Sequence, residues 1–338
     1  MAARIAIVVV NWNGREDTLA CLASLRGVDY SPLDVVVVDN GSSDRSVPAI
    51  RAAFPEVRVI EAGRNLGFAG GNNVGIEASL AAGADYVLLL NNDTVVSPDL
   101  VRELVTVAQA SPDVAAVSPK IYYQTEPGRV WYAGARWVPE RATFEHVGQG
   151  TLDDGDHGDG QPLETEYACG CAMLVPAAVF HRVGLLDSEL FLLYEEADWC
   201  FRARRLGMRC LIAPRATVWH KVSASFGGRR SPLYAYFDMR NRLLWAKRHL
   251  SRAERARVWR GALGGVCEPF TGAFAAMALL ARGRPRAAYR EARAWSRDVR
   301  SWRRPGARAL RRATRRGMLD YLRRRFGDCP PAIRSSSR

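Results

Sequence analysis

Apolar runs alternate with amphipathic segments over the first 120 residues. The runs at 5–10 and 86–90 are wholly apolar, whereas 15–25 carries leucines three residues apart, at Leu19, Leu22 and Leu25. Strands apolar on both faces are typical of parallel sheets covered by helices. The pattern predicts strands at 5–10, 34–39, 57–61, 86–90 and 114–118, and helices at 15–25, 44–54, 70–82 and 98–110.

This alternation predicts an α/β fold with a mostly parallel sheet flanked by helices. The pattern weakens from 121 to 166, and 153–160 is an acidic, glycine-rich loop. A helix at 195–206 and a strand at 210–213 follow, and the chain after 234 is largely helical and increasingly Arg-rich. We therefore divide the chain into a domain at 1–250, with halves at 1–120 and 121–250, and a helical basic extension at 251–338.

Polar side chains follow four of the predicted strands directly. Ligands of parallel sheets bind beyond the carboxyl ends of the strands, so these side chains should meet at one edge. They are Asn11 and Asn13 after the first strand, Asp39 and Asn40 after the second, Asn65 after the third, and Asn91, Asn92 and Asp93 after the fourth.

Two of these segments allow a ligand-binding or a purely structural interpretation. Asp39 can accept a hydrogen bond from a ribose hydroxyl or a base, or form an Asx turn before a helix. The glycine-rich stretch at 65–73 allows close approach of a nucleotide or sugar, with a helix start that favours anions, or it is a flexible turn. It matches neither the P-loop pattern nor the dinucleotide-binding pattern.

Three further features suggest metal and acid–base chemistry. Asp93 ends a buried strand beside two amides, an oxygen-rich setting suited to Mg²⁺ or Mn²⁺, or a capped turn. His220 follows an apolar strand, as a metal ligand or a structural residue. Glu195, Glu196 and Asp198 lie within four residues, where mutual repulsion should raise some pKa values and create a general base, unless the helix dipole stabilises them as anions.

The charge of the chain is concentrated at its C-terminus. The net charge is +13, but residues 282–338 hold 19 Arg and 4 acids, which leaves residues 1–281 at −2. Such a tail predicts binding to anionic lipid or another polyanion. The stretch at 261–281 is apolar but rich in glycine, which favours an interfacial helix or one packed on the body over a membrane span.

Cysteine usage and the N-terminus indicate the compartment. The seven cysteines form no C-x-x-C pair, and the first apolar run is too short for a signal peptide. We expect a cytoplasmic protein, peripheral on the inner face of the cell membrane.

The segments above, taken in order, resemble the inverting glycosyltransferases of family 2 with the GT-A fold, closest to the rhamnosyltransferase and galactofuranosyltransferase branch. The resemblance spans about residues 4 to 250. Its markers are the stretches 10–14, 38–42, 65–72, 91–93, 170–173, 194–198 and 219–220.

The resemblance implies a role for each segment. Glu196 matches the catalytic base, Asp198 supports it or positions the acceptor, and Glu195 is a rival base. A divalent metal, Mg²⁺ or Mn²⁺, would be held by Asp93, His220 and Asn91. The donor, a nucleotide-diphosphate sugar, would contact Asn11, Asn13, Asp39, Asn40, Asn65, Gly67, Phe68, Gly70, Asn91, Asn92, Gly170 and Met173.

The chain departs from the family pattern at two positions. The base is usually Asp but is Glu196 here, and Asn91 replaces an acid of the metal motif. The leading hypothesis is transfer of a hexosyl group, with rhamnose as one candidate, to a glycan or lipid-linked acceptor in cell-envelope glycan synthesis. The alternatives are a catalytically impaired nucleotide-sugar-binding protein and a polyanion-binding protein acting through its Arg-rich tail, without specificity for a nucleic acid.

Overall fold

The computed structural model of the chain describes residues 2–153, 160–222, 231–282, 284–287, 289–290 and 305–335. Most of the predicted loop at 153–160 and the Arg-rich stretch at 291–304 lie outside these residues. The chain forms two compact units. Unit 1 comprises Met1–Val138 and Thr143–Ala224, and unit 2 comprises Pro139–Ala142 and Ser225–Arg338.

Unit 1 is an α/β structure, which confirms the predicted fold class. Its strands are β1 (Ile5–Asn11), β2 (Leu33–Asp39), β3 (Arg58–Glu61), β4 (Tyr86–Asn91), β5 (Thr94–Val96), β6 (Val114–Tyr123), β7 (Glu126–Tyr132), β8 (Ala135–Val138), β9 (Thr143–His146), β10 (Leu163–Thr165), β11 (Ala172–Pro176) and β12 (Arg209–His220). Its helices are α1 (Arg15–Leu25), α2 (Ser46–Ala53), α3 (Gly67–Ala81), α4 (Leu100–Gln109), α5 (Ala177–Val183) and α6 (Glu195–Arg205).

The main sheet has the order β10-β12-β6-β11-β4-β1-β2-β3, with β5 paired to β12 and β7 paired to β6. The strands β1 to β4 pair in parallel, as predicted. The sheet as a whole is mixed because β11 runs antiparallel to both β4 and β6. Consequently β11 begins at the edge where β4 ends, and the Asn91 N–H donates to the Cys171 carbonyl (2.9 Å).

Two strands extend further than their apolar runs indicate. β6 continues to Tyr123 and β12 continues to His220, where the sequence predicts strands ending at 118 and 213. Their polar second halves pair with each other in parallel register, with Thr217 opposite Lys120 and His220 opposite Tyr123. Because each strand satisfies the backbone of the other, neither needs an apolar sequence there. This pairing brings His220 to the candidate site.

Unit 2 is helical. Its helices are α7 (Pro232–His249), α8 (Arg252–Ala281), α9 (Pro305–Leu322) and α10 (Pro331–Ser335). The unit includes α7, which lies before the predicted domain boundary at 250, because α7 packs along α9. No helix within the described residues is both long and apolar enough to cross a membrane.

The contact between α7 and α9 is close and partly polar. The Tyr236 hydroxyl donates to Asp320 (2.9 Å), and the fully buried Arg240 donates to the carbonyl of Gly327 (2.6 Å). Gly317 allows the backbones to approach, since a Cβ there would lie 2.4 Å from the Tyr236 carbonyl oxygen. The C-terminal basic segment is thus anchored by α9 to α7.

A methyl group at Gly317 should separate these helices. We expect Gly317→Ala to lower the free energy of unfolding by about 1–3 kcal/mol, the usual range for overpacking. Gly261→Ala in α8 is the matched control, because no atom lies within 4 Å of its added Cβ and alanine favours the helix. Urea denaturation of both variants measures the difference. Equal stability of the two would contradict the packing described.

Candidate active site

The carboxyl ends of β1 and β2 meet through a buried hydrogen-bond network centred on Asn11. This side chain is fully buried, and its Nδ2 donates to Asp39 Oδ1 (2.9 Å) and Ser42 Oγ (3.0 Å). Its Oδ1 accepts hydrogen bonds from Thr18 Oγ1 (2.9 Å) and the Gly14 N–H (3.2 Å). Since its side-chain donors and acceptor all have protein partners, Asn11 positions Asp39 in this structure.

The Asp39 carboxylate is held from both sides. Besides Asn11 on Oδ1, the Ser42 N–H donates to Oδ2 (2.9 Å), and only 3% of the residue is exposed. Asn13 braces the same turn, because its Oδ1 accepts from the Ser43 N–H (2.7 Å). Each carboxylate oxygen has a second lone pair, so a fixed Asp39 can still accept a hydrogen bond from a ligand hydroxyl or base.

The remaining amides at this edge also make internal contacts. Asn40 Nδ2 donates to the Gly67 carbonyl (2.9 Å), Asn65 Oδ1 accepts from the Gly67 N–H (2.8 Å), and Asn92 Nδ2 donates to Thr18 Oγ1 (2.9 Å). These contacts shape the glycine-rich segment and the end of β4. The structure therefore brings the predicted residues together, with the amides largely supporting the edge.

The glycine-rich segment approaches a different partner from the one expected. The Phe191 carbonyl accepts hydrogen bonds from the N–H groups of Phe68 (2.7 Å) and Ala69 (3.4 Å) at the start of α3. A Cβ on Gly67, whose φ is +75°, would lie 2.3 Å from that carbonyl oxygen, and one on Gly70 would lie 2.9 Å from Leu66 Cβ. The close approach at Gly67 is made by the chain itself, which corrects the expectation that this helix start is open to a ligand anion.

A second polar centre joins the ends of β4 and β12. His220 Nε2 lies 3.0 Å from Asp93 Oδ1 and 3.4 Å from Asn91 Nδ2, and both His220 and Asp93 are more than nine-tenths buried. His220 Nδ1 is buried without a hydrogen-bond partner among the residues that the structure describes. The Lys221 N–H donates to the Asp93 carbonyl (3.0 Å), which fixes the acid beside the histidine.

A group of aromatic rings lies against His220. The ring of Trp131, on β7, packs edge-to-face on His220 with centroids 4.8 Å apart, and on His146 with centroids 5.0 Å apart. His146 Nε2 is 2.9 Å from the Tyr167 hydroxyl oxygen. We call Trp131, His146 and Tyr167 the aromatic floor. No sequence motif marks these residues, because Trp131 and His146 come together only through the pairing of β6 with β7 and the hairpin β8–β9, and Tyr167 joins them from a later segment.

The two catalytic candidates at the start of α6 are held by a strained loop. Phe191, Leu193 and Tyr194 all have positive φ, at 62°, 71° and 75°, a conformation that non-glycine residues adopt at an energetic cost. Immediately after it, Glu195 is 4% exposed. Such a strained backbone persists only where surrounding contacts hold it in place. Here the hydrogen bonds from the N–H groups of Phe68 and Ala69 to the Phe191 carbonyl hold the loop.

Burial controls the protonation of Glu195 and Glu196. Burial holds the pKa of Glu195 well above its usual range, and the charge of Glu196 adds to the effect. Burial also raises the pKa of Glu196, although N–H groups of Glu196, Ala197 and Gly170 oppose the rise. Both Oε2 atoms are buried and lack a hydrogen-bond partner within the described part of the chain. Carboxyls of raised pKa hold a proton more readily than exposed ones, a property that suits acid–base chemistry.

Gly170 borders Glu196, whereas Met173 does not reach the surface. A Cβ on Gly170 would lie 3.1 Å from the Phe68 ring and 3.6 Å from Glu196 Cβ. Met173 is fully buried in β11, opposite Leu89 of β4. Gly170 and Phe68 are thus the members of the predicted donor set that lie next to the carboxyls.

Asp198 has a structural contact of its own. Its Oδ2 accepts from Arg202 Nε (3.0 Å), and Arg202 also donates to the carbonyls of Val183 (2.6 Å) and Leu185 (2.7 Å). The buried Asp198 carboxylate is therefore paired with a cation that ties α6 to the loop after α5. This geometry favours the predicted supporting role for Asp198 over a direct role as base.

Comparisons with known proteins indicate the family and the fold of the chain. Residues 6–171 match the family model described as glycosyl transferase family 2. A low-salt glycan biosynthesis hexosyltransferase of Haloferax volcanii is 29% identical over 71% of this chain and 74% of its own length. An N-acetylglucosaminyl-diphospho-decaprenol L-rhamnosyltransferase of Mycobacterium tuberculosis is 27% identical over 66% of this chain and 78% of its own length.

A solved structure shares the fold. A mannosyltransferase of Pyrobaculum calidifontis, in complex with GDP-Man and Mn²⁺, superposes with a TM-score of 0.57 at 16% identity, over 95% of this chain and 88% of its own.

The contact between Gly67 and Phe191 can be tested with two glycines of similar conformation. Gly67 and Gly83 have φ of +75° and +79°, but an added Cβ meets backbone only at Gly67. We expect Gly67→Ala to destabilise the protein by roughly 1–3 kcal/mol more than Gly83→Ala, because the strain at positive φ is common to both. Thermal unfolding compares them. If both variants melt together, the Phe191 carbonyl does not constrain the start of α3.

Proposed function

We propose that the chain, which carries a glycosyl transferase family 2 domain over residues 6–171, is an inverting enzyme. It transfers a sugar from a nucleotide-diphosphate sugar to an acceptor hydroxyl and inverts the configuration of the anomeric carbon. The observation that carries this proposal is the pairing of two chemical centres at one end of the sheet. Asp93 and His220 form one, and the half-buried Glu196, whose Oε2 is buried, forms the other. A displacement needs both, one for the leaving group and one for the nucleophile.

Glu196 acts as the general base. Its carboxylate takes the proton of the acceptor hydroxyl as the oxygen attacks the anomeric carbon from the face opposite the diphosphate. The bond between the anomeric carbon and the diphosphate oxygen breaks, and its electron pair leaves with the nucleoside diphosphate. One displacement at that carbon inverts its configuration, and Glu196 ends the step protonated.

Asp93, His220 and Asn91 fit a divalent metal such as Mn²⁺ or Mg²⁺. They offer one carboxylate, one imidazole and one amide, with Asp93 Oδ1 and Asn91 Nδ2 lying 3.0 Å and 3.4 Å from His220 Nε2. No group of three His, Cys, Asp or Glu side chains among the described residues is arranged to hold a metal ion by itself, so substrate oxygens would complete the coordination. Such a metal would neutralise charge on the departing diphosphate.

The donor is placed by the strand ends. Asp39, fixed by Asn11 and Ser42, accepts hydrogen bonds from the ribose or base of the nucleotide. Gly170 and Phe68, next to Glu196, border the transferred sugar. Asn13, Asn40, Asn65 and Asn92 keep these loops in place through the contacts described above.

Trp131 positions the metal-binding histidine. A histidine ligand is usually oriented by a hydrogen bond on its other ring nitrogen, but His220 Nδ1 lacks one in the described structure. The edge-to-face contact with Trp131, itself packed on His146, takes over this function. Burial, together with the nearby Cys169 and Glu196, holds the pKa of Tyr167 well above its usual range.

The acceptor is a glycan or a lipid-linked sugar in cell-envelope synthesis. This follows from the named activities of the relatives, one of which acts on a decaprenyl-diphosphate-linked sugar. The cationic segment at 282–338 has 19 Arg and 4 acids, which suits an enzyme bound to the cytoplasmic face of the membrane. That face carries anionic lipids, and lipid-linked acceptors are embedded in it. The paired centres favour an active enzyme over a protein that only binds nucleotide sugars.

Removal of the base should separate catalysis from binding. We expect Glu196→Gln to lower kcat by at least about 10²-fold, while nucleotide-diphosphate binding remains. Glu195→Gln is the matched control and should retain most of the turnover. Because burial raises the pKa of Glu196, turnover of the wild type should fall, as pH decreases, at a higher pH than an exposed glutamate would give. Unchanged turnover in Glu196→Gln would refute the assignment, and loss only in Glu195→Gln would transfer the role to Glu195.

The role of Trp131 predicts a graded effect on metal affinity. Trp131→Leu should weaken Mn²⁺ binding by roughly tenfold or more, the range for supporting residues of metal ligands, while Trp131→Phe should preserve most of it. Electron paramagnetic resonance of free Mn²⁺, with nucleoside diphosphate present, measures affinity without turnover. Trp137→Leu, on the neighbouring hairpin strand β8, controls for general loss of packing. Equal Mn²⁺ affinity in wild type and Trp131→Leu would rule out this positioning role.

A further inference from the structure

Helix α9 exposes one continuous face that is basic in its first half and apolar in its second half. Arg308, Arg312, Arg315, Leu319 and Leu322 follow one another at intervals of four and three residues, which aligns them along one side of a helix. All five are exposed, and the two leucines strongly so, at 44% and 57%. We call these five residues the basic–apolar face.

The opposite side of α9 fixes the direction of this face. Ala313, Met318 and Asp320 are buried, Asp320 is bonded to Tyr236, and Gly317 lies against the backbone of α7. These contacts prevent the helix from rotating to bury its leucines within unit 2. The leucines therefore remain in water unless another surface covers them.

The composition of the face selects its partner. Arginines attract anions, and residues 282–338 carry a net charge of +15, with 19 Arg against 4 acids, while the rest of the chain is nearly neutral. Arginines alone would also bind a nucleic acid. Two exposed leucines one helical turn apart, however, would bury no apolar surface against a phosphate backbone. An anionic bilayer satisfies both, since its headgroups pair with the arginines and its acyl boundary takes the leucines.

We propose that the basic–apolar face of α9 lies on an anionic lipid bilayer and is the surface by which the protein docks to the membrane. This deepens the proposed membrane location and is independent of the proposed chemistry. Arg308, Arg312 and Arg315 contact lipid headgroups, while Leu319 and Leu322 enter the interface. Because α9 is anchored to α7, docking also orients unit 2 on the membrane.

Point variants test this better than a truncation, because removing the chain after Arg282 would also remove the packing of α9 on α7. The full chain is sedimented with vesicles of phosphatidylcholine containing 30% phosphatidylglycerol, as a chosen probe composition, and with vesicles of phosphatidylcholine alone. We expect binding to the anionic vesicles only. Leu319→Gln/Leu322→Gln should weaken it by about tenfold, from the loss of two apolar side chains in the interface.

The matched control is Leu152→Gln/Leu206→Gln, which replaces two exposed leucines of unit 1 and should bind like the wild type. Nucleoside-diphosphate binding by each variant reports whether unit 1 is intact, so that loss of docking is distinguished from loss of the donor site. The proposal is overturned if the wild type does not bind anionic vesicles, if Leu319→Gln/Leu322→Gln binds as well as the wild type, or if the control is equally impaired. Binding of single-stranded RNA without binding to vesicles would identify a nucleic-acid surface and would also overturn it.

Discussion

The hydrogen bonds to the carbonyl of Phe191 are the constraint on which the candidate site depends. The N–H groups of Phe68 and Ala69 hold this oxygen at the start of α3, and only a residue without a Cβ at position 67 lets it approach. The start of a helix is a favourable position for a partial negative charge. These hydrogen bonds fix the loop that carries three residues of positive φ, and α6 begins directly after it. Glu196 then lies beside Gly170, whose chain pairs with the end of β4 through the bond between the Asn91 N–H and the Cys171 carbonyl.

Burial has opposite consequences for the acids of the site. Asp198 is buried with Arg202 as its partner, so its charge is compensated and contributes to packing of α6. Glu195 and Glu196 lack such a cation among the described ion pairs, and their pKa values are raised mainly by burial. The same helix thus carries a compensated structural acid and two acids ready to exchange a proton. The three acids lie within four positions of sequence, so their place in the chain does not explain the difference. The difference comes from the Arg202 cation, which pairs with Asp198.

The sequence predicts best what depends on local pattern. The helix α1 has the predicted bounds, and the strand ends deliver Asn11, Asp39 and Asn91 to one edge because parallel strands share a direction. It could not predict the antiparallel entry of β11, the polar extensions of β6 and β12, or the contact between Trp131 and His220. Each depends on pairing between segments distant in sequence. For the same reason the sequence predicts ligand contacts at Gly67 and Gly70, whereas the structure shows that Gly67 makes room for the Phe191 carbonyl.

We propose that Asp93 and His220 form the leaving-group end of a glycosyl-transfer site whose base is Glu196. The most direct test is a crystal of the full chain grown with Mn²⁺ and a nucleoside diphosphate, with the metal located by anomalous scattering. We expect one Mn²⁺ peak within coordination distance of Asp93 and His220 and next to the diphosphate, with the nucleoside against Asp39. A peak bound elsewhere, or a diphosphate seated away from both residues, would contradict it.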